Sequence, residues 1–186
     1  MQKGGFAMFL LKNIIVATIA VGSLTSPAFA YDFGRAPTPQ EIKLWDIDVR
    51  PDGKGLPEGS GTVTHGKTVY EQNCLACHGA NGKDGIKDRL AGGQGTLASE
   101  KPIKTVGSYW PYATTLFDYI RRAMPYQTPG SLNVDDTYAV TAYILGLNGL
   151  LPEDGQLNKE TLVKITMPNH DGFIPEAEFQ KITNSK

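Results

Sequence analysis

The pattern of hydrophobic and polar positions predicts three helices in the middle of the chain. Apolar residues recur at helical spacing from Thr64 to Leu75, from Leu116 to Met124 and from Val134 to Gly149. Thr114 or Thr115 is the predicted N-cap of the second helix. Long loops rich in glycine and proline connect the three predicted helices. The helices carry too few apolar residues to form the core of an ordinary helical bundle. Cores of this kind usually need a metal, disulfides or a cofactor to complete them.

The two ends of the chain lack this periodicity. Residues 31–61 are interrupted by four prolines with glycines between them, which predicts an extended N-terminal arm. Within the arm, only Pro39 to Asp46 predicts a short helix, with Thr38 as its N-cap and Pro39 at its first position. Residues 150–186 become polar again and predict an irregular C-terminal tail. Residues 62–149 are therefore the predicted folded domain.

The first 30 residues have the features of a secretory signal peptide. Lys3 and Lys12 lie in a short charged region, which an apolar run from Asn13 to Leu24 follows. That run is shorter than the ~20 apolar residues of a typical membrane span. Ala28 and Ala30 provide the small residues of a cleavage site, so we predict a cleaved signal, not an anchor.

Charge and hydropathy argue against nucleic-acid binding and membrane attachment by the exported chain. Removing 30 residues from 186 leaves 156, and it takes away two lysines and no acid, so the net charge changes from −1 to −3. Nucleic-acid binding requires clustered Lys and Arg, and no such cluster is present. No second long apolar run occurs, so we expect no membrane attachment after signal cleavage.

Both cysteines of the chain lie in the stretch CLACH, which begins at Cys74 and continues with Leu75, Ala76, Cys77 and His78. This C-x-x-C-H spacing is that of covalent c-type haem attachment. Residues three apart at a helix end project from one face, so two sulfurs can reach the two vinyl groups of one porphyrin. The histidine that follows can then offer its imidazole to the iron. One such motif predicts one covalently bound haem c.

Other uses of the cysteine pair fit the sequence less well. A thioredoxin-type dithiol requires a preceding strand within a βαβ pattern, which is not predicted here. A structural zinc ion needs four ligands, and after Cys74, Cys77 and His78 only His65 and His170 remain as soft ligands. A disulfide that closes a two-residue loop would constrain the unfolded chain very little.

The second axial ligand of the iron can be narrowed by elimination. The two methionines of the signal peptide are removed, so the exported chain keeps Met124 and Met167. Met124 ends the second predicted helix and opens a loop, which places it across the haem from the attachment helix. We predict Met124 as the ligand, with Met167, His65 or His170 as alternatives. A thioether ligand closes the iron to substrates and favours electron transfer.

A segment dense in aromatic residues, GSYWPYATTLFDYIRRAMP, precedes the predicted methionine ligand. Trp110 and Tyr112 are candidates to donate hydrogen bonds to the haem propionates while their rings cover the porphyrin edge. Arg121 or Arg122 is a candidate to pair with a propionate. The alternative is that the rings belong to the core and the arginines to the solvated helix surface.

Beyond these motifs the chain resembles a known family. CLACHG, the dipeptide MP and the helix DDTYAVTAYIL resemble a class I cytochrome c over roughly half of the chain. KPIKTVGSYWPYATTLFDYIRRAMP and MPNHDGFIP, together with the N-terminal GRAPTPQEIKLWDIDVRPDGKGLPEGSGT, resemble the cytochrome subunit of Sox-type sulfane (sulfite) dehydrogenases, the SoxD family. The resemblance implies an all-α class I cytochrome c fold, with three main helices around one covalent haem and extended N- and C-terminal arms.

The resemblance also implies a function. The chain would be a periplasmic cytochrome, not catalytic alone, that accepts electrons from a molybdenum-cofactor dehydrogenase subunit oxidising sulfite or carrier-bound sulfur. A downstream cytochrome or oxidase would take the electrons, and the arms would wrap the partner in a hetero-oligomer. Cys74, Cys77 and His78 carry over as haem residues, and Met124 as the sixth ligand. A free-standing diffusible carrier is the alternative function, and a haem enzyme with an open sixth position is a third.

One departure from the class I pattern concerns the imidazole of His78. Class I cytochromes c commonly have a proline about a dozen residues after the haem histidine, and the carbonyl of that proline orients the imidazole. Here the corresponding region is KDRLAGG, and no proline occurs before Pro102. The sequence therefore does not identify the carbonyl that holds His78.

Overall fold

The computed structural model describes residues 34–176 of the chain. The predicted signal peptide and the end of the predicted tail lie outside the described residues. The chain divides into two units after Ile42. Within the described range, no helix has the length and hydrophobicity that a membrane crossing requires.

The secondary structure consists of short helices and one small sheet. In chain order the elements are α1 (Pro39–Trp45), β1 (Ser60–Thr62), α2 (Val63–Asn73), α3 (Leu75–His78), α4 (Ala113–Ala123), α5 (Val134–Leu147), β2 (Gln156–Asn158) and α6 (Lys159–Leu162). The three helical segments predicted in the middle of the chain are confirmed as α2 with α3, α4 and α5. The all-α prediction did not include the sheet.

Helix α1 begins where the local sequence predicts, and a capping box fixes its start. The Thr38 hydroxyl accepts from the Glu41 N–H at 3.2 Å, and the Glu41 carboxylate accepts from the Thr38 N–H at 2.7 Å. The Arg35 guanidinium also donates to this carboxylate at 2.8 Å. Arg35, more than Thr38, lowers the pKa of Glu41 to about 2.

Helix α4 begins without a side-chain cap, which corrects the prediction that Thr114 or Thr115 would supply one. The N-cap residue is Tyr112, and both threonines lie inside the helix. The Thr114 hydroxyl instead donates to the carbonyl of Pro51 at 3.1 Å. A long-range partner has thus replaced the local capping bond that a threonine near a helix start suggests.

Helix α5 lies in the centre of the core, and α2 packs closely against it. Tyr138, Thr141, Ala142 and Leu145, which share one face of α5 at helical spacing, are all fully enclosed. At Gly66 on α2, a Cβ atom would lie 1.8 Å from the carbonyl oxygen of Ala139. The two backbones therefore approach more closely than any residue with a side chain allows.

The sheet joins the start of the domain to the segment after α5. β1 pairs antiparallel with β2, with Gly61 opposite Leu157. Leu157, Leu162 and Met167 are buried in the same hydrophobic core as α4 and α5. Residues 150–176, where the sequence predicts an irregular tail, thus contribute two short elements and part of the core.

Two segments outside the helices contact α4 or the residues that lead into it. Residues 47–51, here called the N-terminal strap, bond to three helix residues one or two turns apart. Arg121 donates to the Ile47 carbonyl at 3.0 Å, and Asp118 accepts from the Val49 N–H at 2.7 Å. Thr114 donates to the Pro51 carbonyl, so the strap runs antiparallel to the helix. Alternate strap residues therefore meet one face of the helix.

The second segment, residues 166–173, is called the C-terminal strap. Thr166 pairs with Tyr112 in an isolated antiparallel bridge. The Asn169 side chain donates to the Tyr109 carbonyl at 2.8 Å, and the ring of Phe173 contacts the ring of Tyr109 edge-on. The two straps together restrain α4 and the aromatic segment that leads into it.

Candidate haem-binding site

The CLACH stretch forms a single helical turn at the end of α2. The N–H groups of Cys77 and His78 both donate to the Cys74 carbonyl, at 3.1 and 2.9 Å. Cys74 lies at the junction of α2 and α3, and His78 is the last residue of α3. Both cysteines are free thiols of intermediate burial. This turn brings the two sulfurs to one side with the histidine directly after them.

The electrostatics of Cys74 argue against a redox dithiol. Burial, and to a smaller extent the neighbouring Cys77, raises the pKa of the Cys74 thiol to about 11. Redox-active cysteines have lowered pKa values, because the thiolate is the reactive form. A thiol that keeps its proton at neutral pH suits thioether attachment better than thiol–disulfide exchange.

The imidazole of His78 is oriented by the backbone of the following loop. Its Nδ1 lies 2.8 Å from the carbonyl oxygen of Asp88, ten residues further along the chain. A carbonyl oxygen only accepts, so Nδ1 carries a proton, and in the neutral imidazole Nε2 keeps a lone pair. This is the tautomer that a metal-ligating histidine adopts when its other nitrogen is held by an outer partner. Asp88 thus supplies the carbonyl that the sequence does not identify.

The loop of residues 79–91 folds tightly around the CLACH turn. The Lys87 N–H donates to the Cys77 carbonyl at 2.9 Å, and the buried Tyr70 hydroxyl donates to the Gly79 carbonyl at 2.8 Å. A Cβ atom at Gly85 would lie 2.1 Å from the Cys77 carbonyl oxygen. Glycine is therefore required where the loop crosses the turn.

The two candidate methionine ligands differ in their surroundings. Met124 is the C-cap of α4, where its N–H donates to the Ile120 carbonyl at 3.0 Å, and its side chain is half-buried at the margin of the core. Met167 is 1% exposed and enclosed by apolar neighbours. A thioether at the edge of the core is accessible to a bound group, whereas an enclosed one serves packing.

The two candidate histidine ligands have other partners. His65 Nε2 lies 2.6 Å from Asp136 Oδ1, which links α2 to α5 at the surface. His170 Nδ1 lies 2.7 Å from Asp171 Oδ1, and its ring contacts the ring of Tyr112 edge-on. Each imidazole is thus engaged by a carboxylate.

The other predicted haem contacts are placed around α4 and the straps. Trp110 is half-buried, with its ring 5.7 Å from that of Tyr119 and perpendicular to it. The ring of Tyr112 meets His170, and Arg121 donates to the N-terminal strap. These contacts hold α4 in place, and propionate binding by Trp110, Tyr112 and Arg121 stays a prediction.

The donor set and the shape of the loop fit a covalently bound haem. Two thiols share one helical turn, the adjacent histidine has a free Nε2 lone pair, and glycine leaves the loop close to the turn without a side chain between them. Within residues 34–176, no group of three or more His, Cys, Asp or Glu side chains could hold a bare metal ion.

Comparison with known proteins decides the family. The model of the cytochrome c family matches residues 63–148. A chain in the crystal structure of the sulfane dehydrogenase SoxCD from Paracoccus pantotrophus is 43% identical, with a TM-score of 0.75 over 84% of this chain and 78% of that chain. The chain belongs to the cytochrome c family. Within it the chain is SoxD-like, and family membership implies covalently bound haem c and an electron-transfer role.

A curated protein is also similar to this cytochrome. The thiosulfate dehydrogenase of Stutzerimonas stutzeri (strain A1501) is 26% identical over 152 residues, which is 81% of this chain and 46% of that protein. The cytochrome therefore spans about half the length of this relative. The helices and small sheet described above form a cytochrome c domain, and a class I fold fits it.

Proposed function

We propose that the chain is a periplasmic cytochrome with one haem c that accepts electrons from a molybdenum-containing sulfite or sulfane dehydrogenase subunit. A downstream cytochrome or oxidase would take the electrons, and the chain would not be catalytic alone. The observation that carries this proposal is the 43% identity, over most of both chains, with a chain of a sulfane dehydrogenase structure. The similarity to a thiosulfate dehydrogenase supports a place in sulfur oxidation.

The site residues have distinct roles in this proposal. Cys74 and Cys77 would hold the haem through thioether bonds, and the three main helices would surround it as in class I cytochromes c. The iron of a bound haem c supplies one-electron redox chemistry. His78 would be one axial ligand through Nε2, and the Asp88 carbonyl holds the proton on Nδ1. Met124 would occupy the sixth position and so exclude water and small substrates.

The exposed surface of helix α1 supports the proposal that the chain forms a hetero-oligomer. None of its residues is buried, and Ile42, Leu44 and Trp45 are 50%, 74% and 85% exposed. Aromatic and aliphatic side chains exposed together are typical of protein interfaces, where a few of them contribute most of the binding energy. We therefore propose that the N-terminal arm docks on the molybdenum subunit. The division of the exported chain into an N-terminal arm (residues 31–61), a haem domain (62–149) and a C-terminal tail (150–186) remains part of this proposal.

The test is a pull-down of the exported protein from its native periplasm. The eluate is assayed for haem, for molybdenum and for reduction of the haem on addition of sulfite or a sulfane donor. Molybdenum together with rapid reduction supports the proposal. Haem without molybdenum or substrate-dependent reduction contradicts it and indicates a diffusible carrier. Binding of carbon monoxide to the ferrous protein would indicate an open sixth position, and so a haem enzyme or sensor.

Point variants then test the docking surface. Leu44→Ala and Trp45→Ala should reduce co-elution of molybdenum while the haem spectrum stays unchanged. Gln40→Ala is the matched control, because Gln40 is exposed on the same helix and is polar. Equal co-elution in all three variants would show that α1 does not contact the partner.

A further inference from the structure

A buried asparagine at the end of α5 joins the core to the glycine-rich loop. Asn148 Oδ1 accepts from the Gly92 N–H at 3.1 Å and lies 3.4 Å from Gln94 Nε2. Its Nδ2 donates to the Leu90 carbonyl at 3.1 Å and to the Ile144 carbonyl at 2.9 Å. One side chain therefore bonds to three residues of the loop and to its own helix.

The residues held by Asn148 adjoin the carbonyl that orients the haem histidine. Leu90 is two residues after Asp88, whose carbonyl oxygen lies 2.8 Å from His78 Nδ1. The Leu90 N–H also donates to the Gly82 carbonyl at 2.7 Å. With Leu90 fixed on both its N–H and its carbonyl, the Asp88 carbonyl has little freedom to move away from the imidazole.

The part of the loop after Leu90 needs a restraint from outside, because its glycines restrict the backbone little. Gly92 and Gly93 have φ angles of +89° and +77°, in a region that glycine enters freely and other residues rarely. Proline would fix φ near −65° and so limit the backbone by itself. No proline occurs between His78 and Pro102, so hydrogen bonds supply the restraint: the main-chain bonds of Lys87 and Leu90 and the side-chain bonds of Asn148.

The Asn148 amide packs directly against Gly107. A Cβ atom at Gly107 would lie 2.1 Å from Asn148 Oδ1 and 2.7 Å from Gln94 Nε2. Gly107 is buried, so an added methyl group there would overlap the amide and push it away from its loop partners. Gly107→Ala should therefore displace the amide without removing it.

We propose that Asn148 is a positioning residue for His78. Through Leu90 and Gly92 it fixes the Asp88 carbonyl that holds the Nδ1 proton, in place of the proline of other class I cytochromes. The inference rests on the proposed function, because it concerns the imidazole that is proposed to bind the iron.

The test compares holoproteins by NMR and by redox titration. In ferrous protein with ¹⁵N-labelled histidine, the Nδ1 proton of His78 should exchange with solvent about tenfold faster, or more, in Asn148→Ala than in the wild type. The reduction potential should rise, because an imidazole without this hydrogen bond is less basic and stabilises ferric iron less. Gly107→Ala should shift both quantities in the same direction. Asn148→Asp keeps an acceptor for Gly92 and loses the Nδ2 donor, so it should give an intermediate shift.

Asn158→Ala is the control for a general loss of stability. Asn158 caps α6 by accepting from the N–H groups of Glu160 and Thr161 at 3.0 and 2.9 Å, so its loss should destabilise the fold without changing His78. Wild-type proton exchange and potential in Asn148→Ala would overturn the proposal. If Asn148→Ala does not bind haem, Gly107→Ala and Asn148→Asp test the proposal instead, by the exchange of the His78 Nδ1 proton and by the reduction potential. Wild-type values in both of these variants would then overturn it. A wild-type holoprotein in which haem does not shift the His78 resonances would instead refute the proposed ligation, and the positioning role with it.

Discussion

The Asp118 carboxylate holds the N-terminal strap against α4, and its removal should release the strap. The residue is 7% exposed. Its Oδ1 accepts from the Val49 N–H at 2.7 Å and from Arg122 Nε at 2.9 Å, and Arg122 Nη2 bonds the other oxygen. Asp118→Ala therefore removes the acceptor of a backbone group and the partner of a guanidinium.

The expected cost follows from the burial of each partner. A hydrogen bond to a charged group contributes ~1.5–3 kcal/mol, and an unpaired buried N–H group costs ~1–3 kcal/mol. The Arg122 side chain is 47% exposed, so water can solvate it and the lost ion pair adds under ~1 kcal/mol. We expect Asp118→Ala to lower the free energy of unfolding by ~2–4 kcal/mol, which lowers Tm by roughly 4–16 °C. Arg122→Ala should cost under ~1 kcal/mol.

The measurements are urea unfolding of the holoprotein and native-state hydrogen exchange at the Val49 amide. This amide should exchange much faster in Asp118→Ala and keep its protection in Arg122→Ala, because Oδ1 remains in the second variant. Asp118→Asn keeps a neutral acceptor and should fall between the two. A protected Val49 amide in Asp118→Ala would show that the carboxylate does not hold the strap. An equal loss of stability in both alanine variants would show that the ion pair dominates.

Three further predictions concern the haem site and the core. Gly85→Ala should lower haem incorporation, because its Cβ would meet a backbone carbonyl of the CLACH turn at 2.1 Å. Gly146→Ala is the control and should not lower it, because the nearest atom to its Cβ would be at 3.5 Å. Equal haem content in the two variants would contradict this prediction. Met124→Ala should lose the near-infrared sulfur-to-iron absorption band, and Met167→Ala should keep it while losing ~2–5 kcal/mol of stability; a band retained in Met124→Ala would refute the ligand assignment. Burial raises the pKa of Tyr138 to about 12 from 10.0, so stability is complete below pH 10 and falls by up to about 2–3 kcal/mol as pH rises towards 12. The urea midpoint of unfolding, measured at steps of pH across this range, should fall less steeply with pH in Tyr138→Phe than in the wild type. An identical slope would show that ionisation of Tyr138 does not cause the loss of stability.

The elements that the sequence predicts correctly are those that local chemistry determines. The helical period of apolar residues marks α2, α4 and α5, and the capping residues Thr38 and Pro39 mark the start of α1. The N-cap of α4 was wrong because Thr114 bonds a carbonyl that lies 63 residues away in the sequence. No local pattern reports such a partner.

The parts of the site that the sequence does not predict depend on the backbone and on long-range contacts. His78 is oriented by a main-chain carbonyl, and any residue at position 88 could supply that group. The glycine cluster predicts a loop, but not that Gly85 crosses the CLACH turn. The role of Asn148 depends on partners more than 50 residues earlier, whereas C-x-x-C-H is readable because its geometry is contained in one helical turn.

The C-terminal segment illustrates a third limit. β2 has three residues, which is too short for the alternation that identifies a strand. Leu157, Leu162 and Met167 are buried at intervals of five residues, which matches neither a helix nor a strand. Their burial follows from the core left open by α4 and α5, and the sequence of the segment alone does not show that surface.

The two proposed iron ligands are restrained by separate parts of the molecule, and this separation can be measured. His78 is held through the loop that Asn148 binds, whereas Met124 ends the helix that Asp118 fastens to the N-terminal strap. Asp118→Ala should therefore make the sulfur-to-iron band weaken at lower temperature while the Nδ1 proton of His78 exchanges as in the wild type. Asn148→Ala should do the reverse. If both variants changed both signals equally, the ligands would share one restraint, and the straps would serve the stability of the domain as a whole and not the position of Met124.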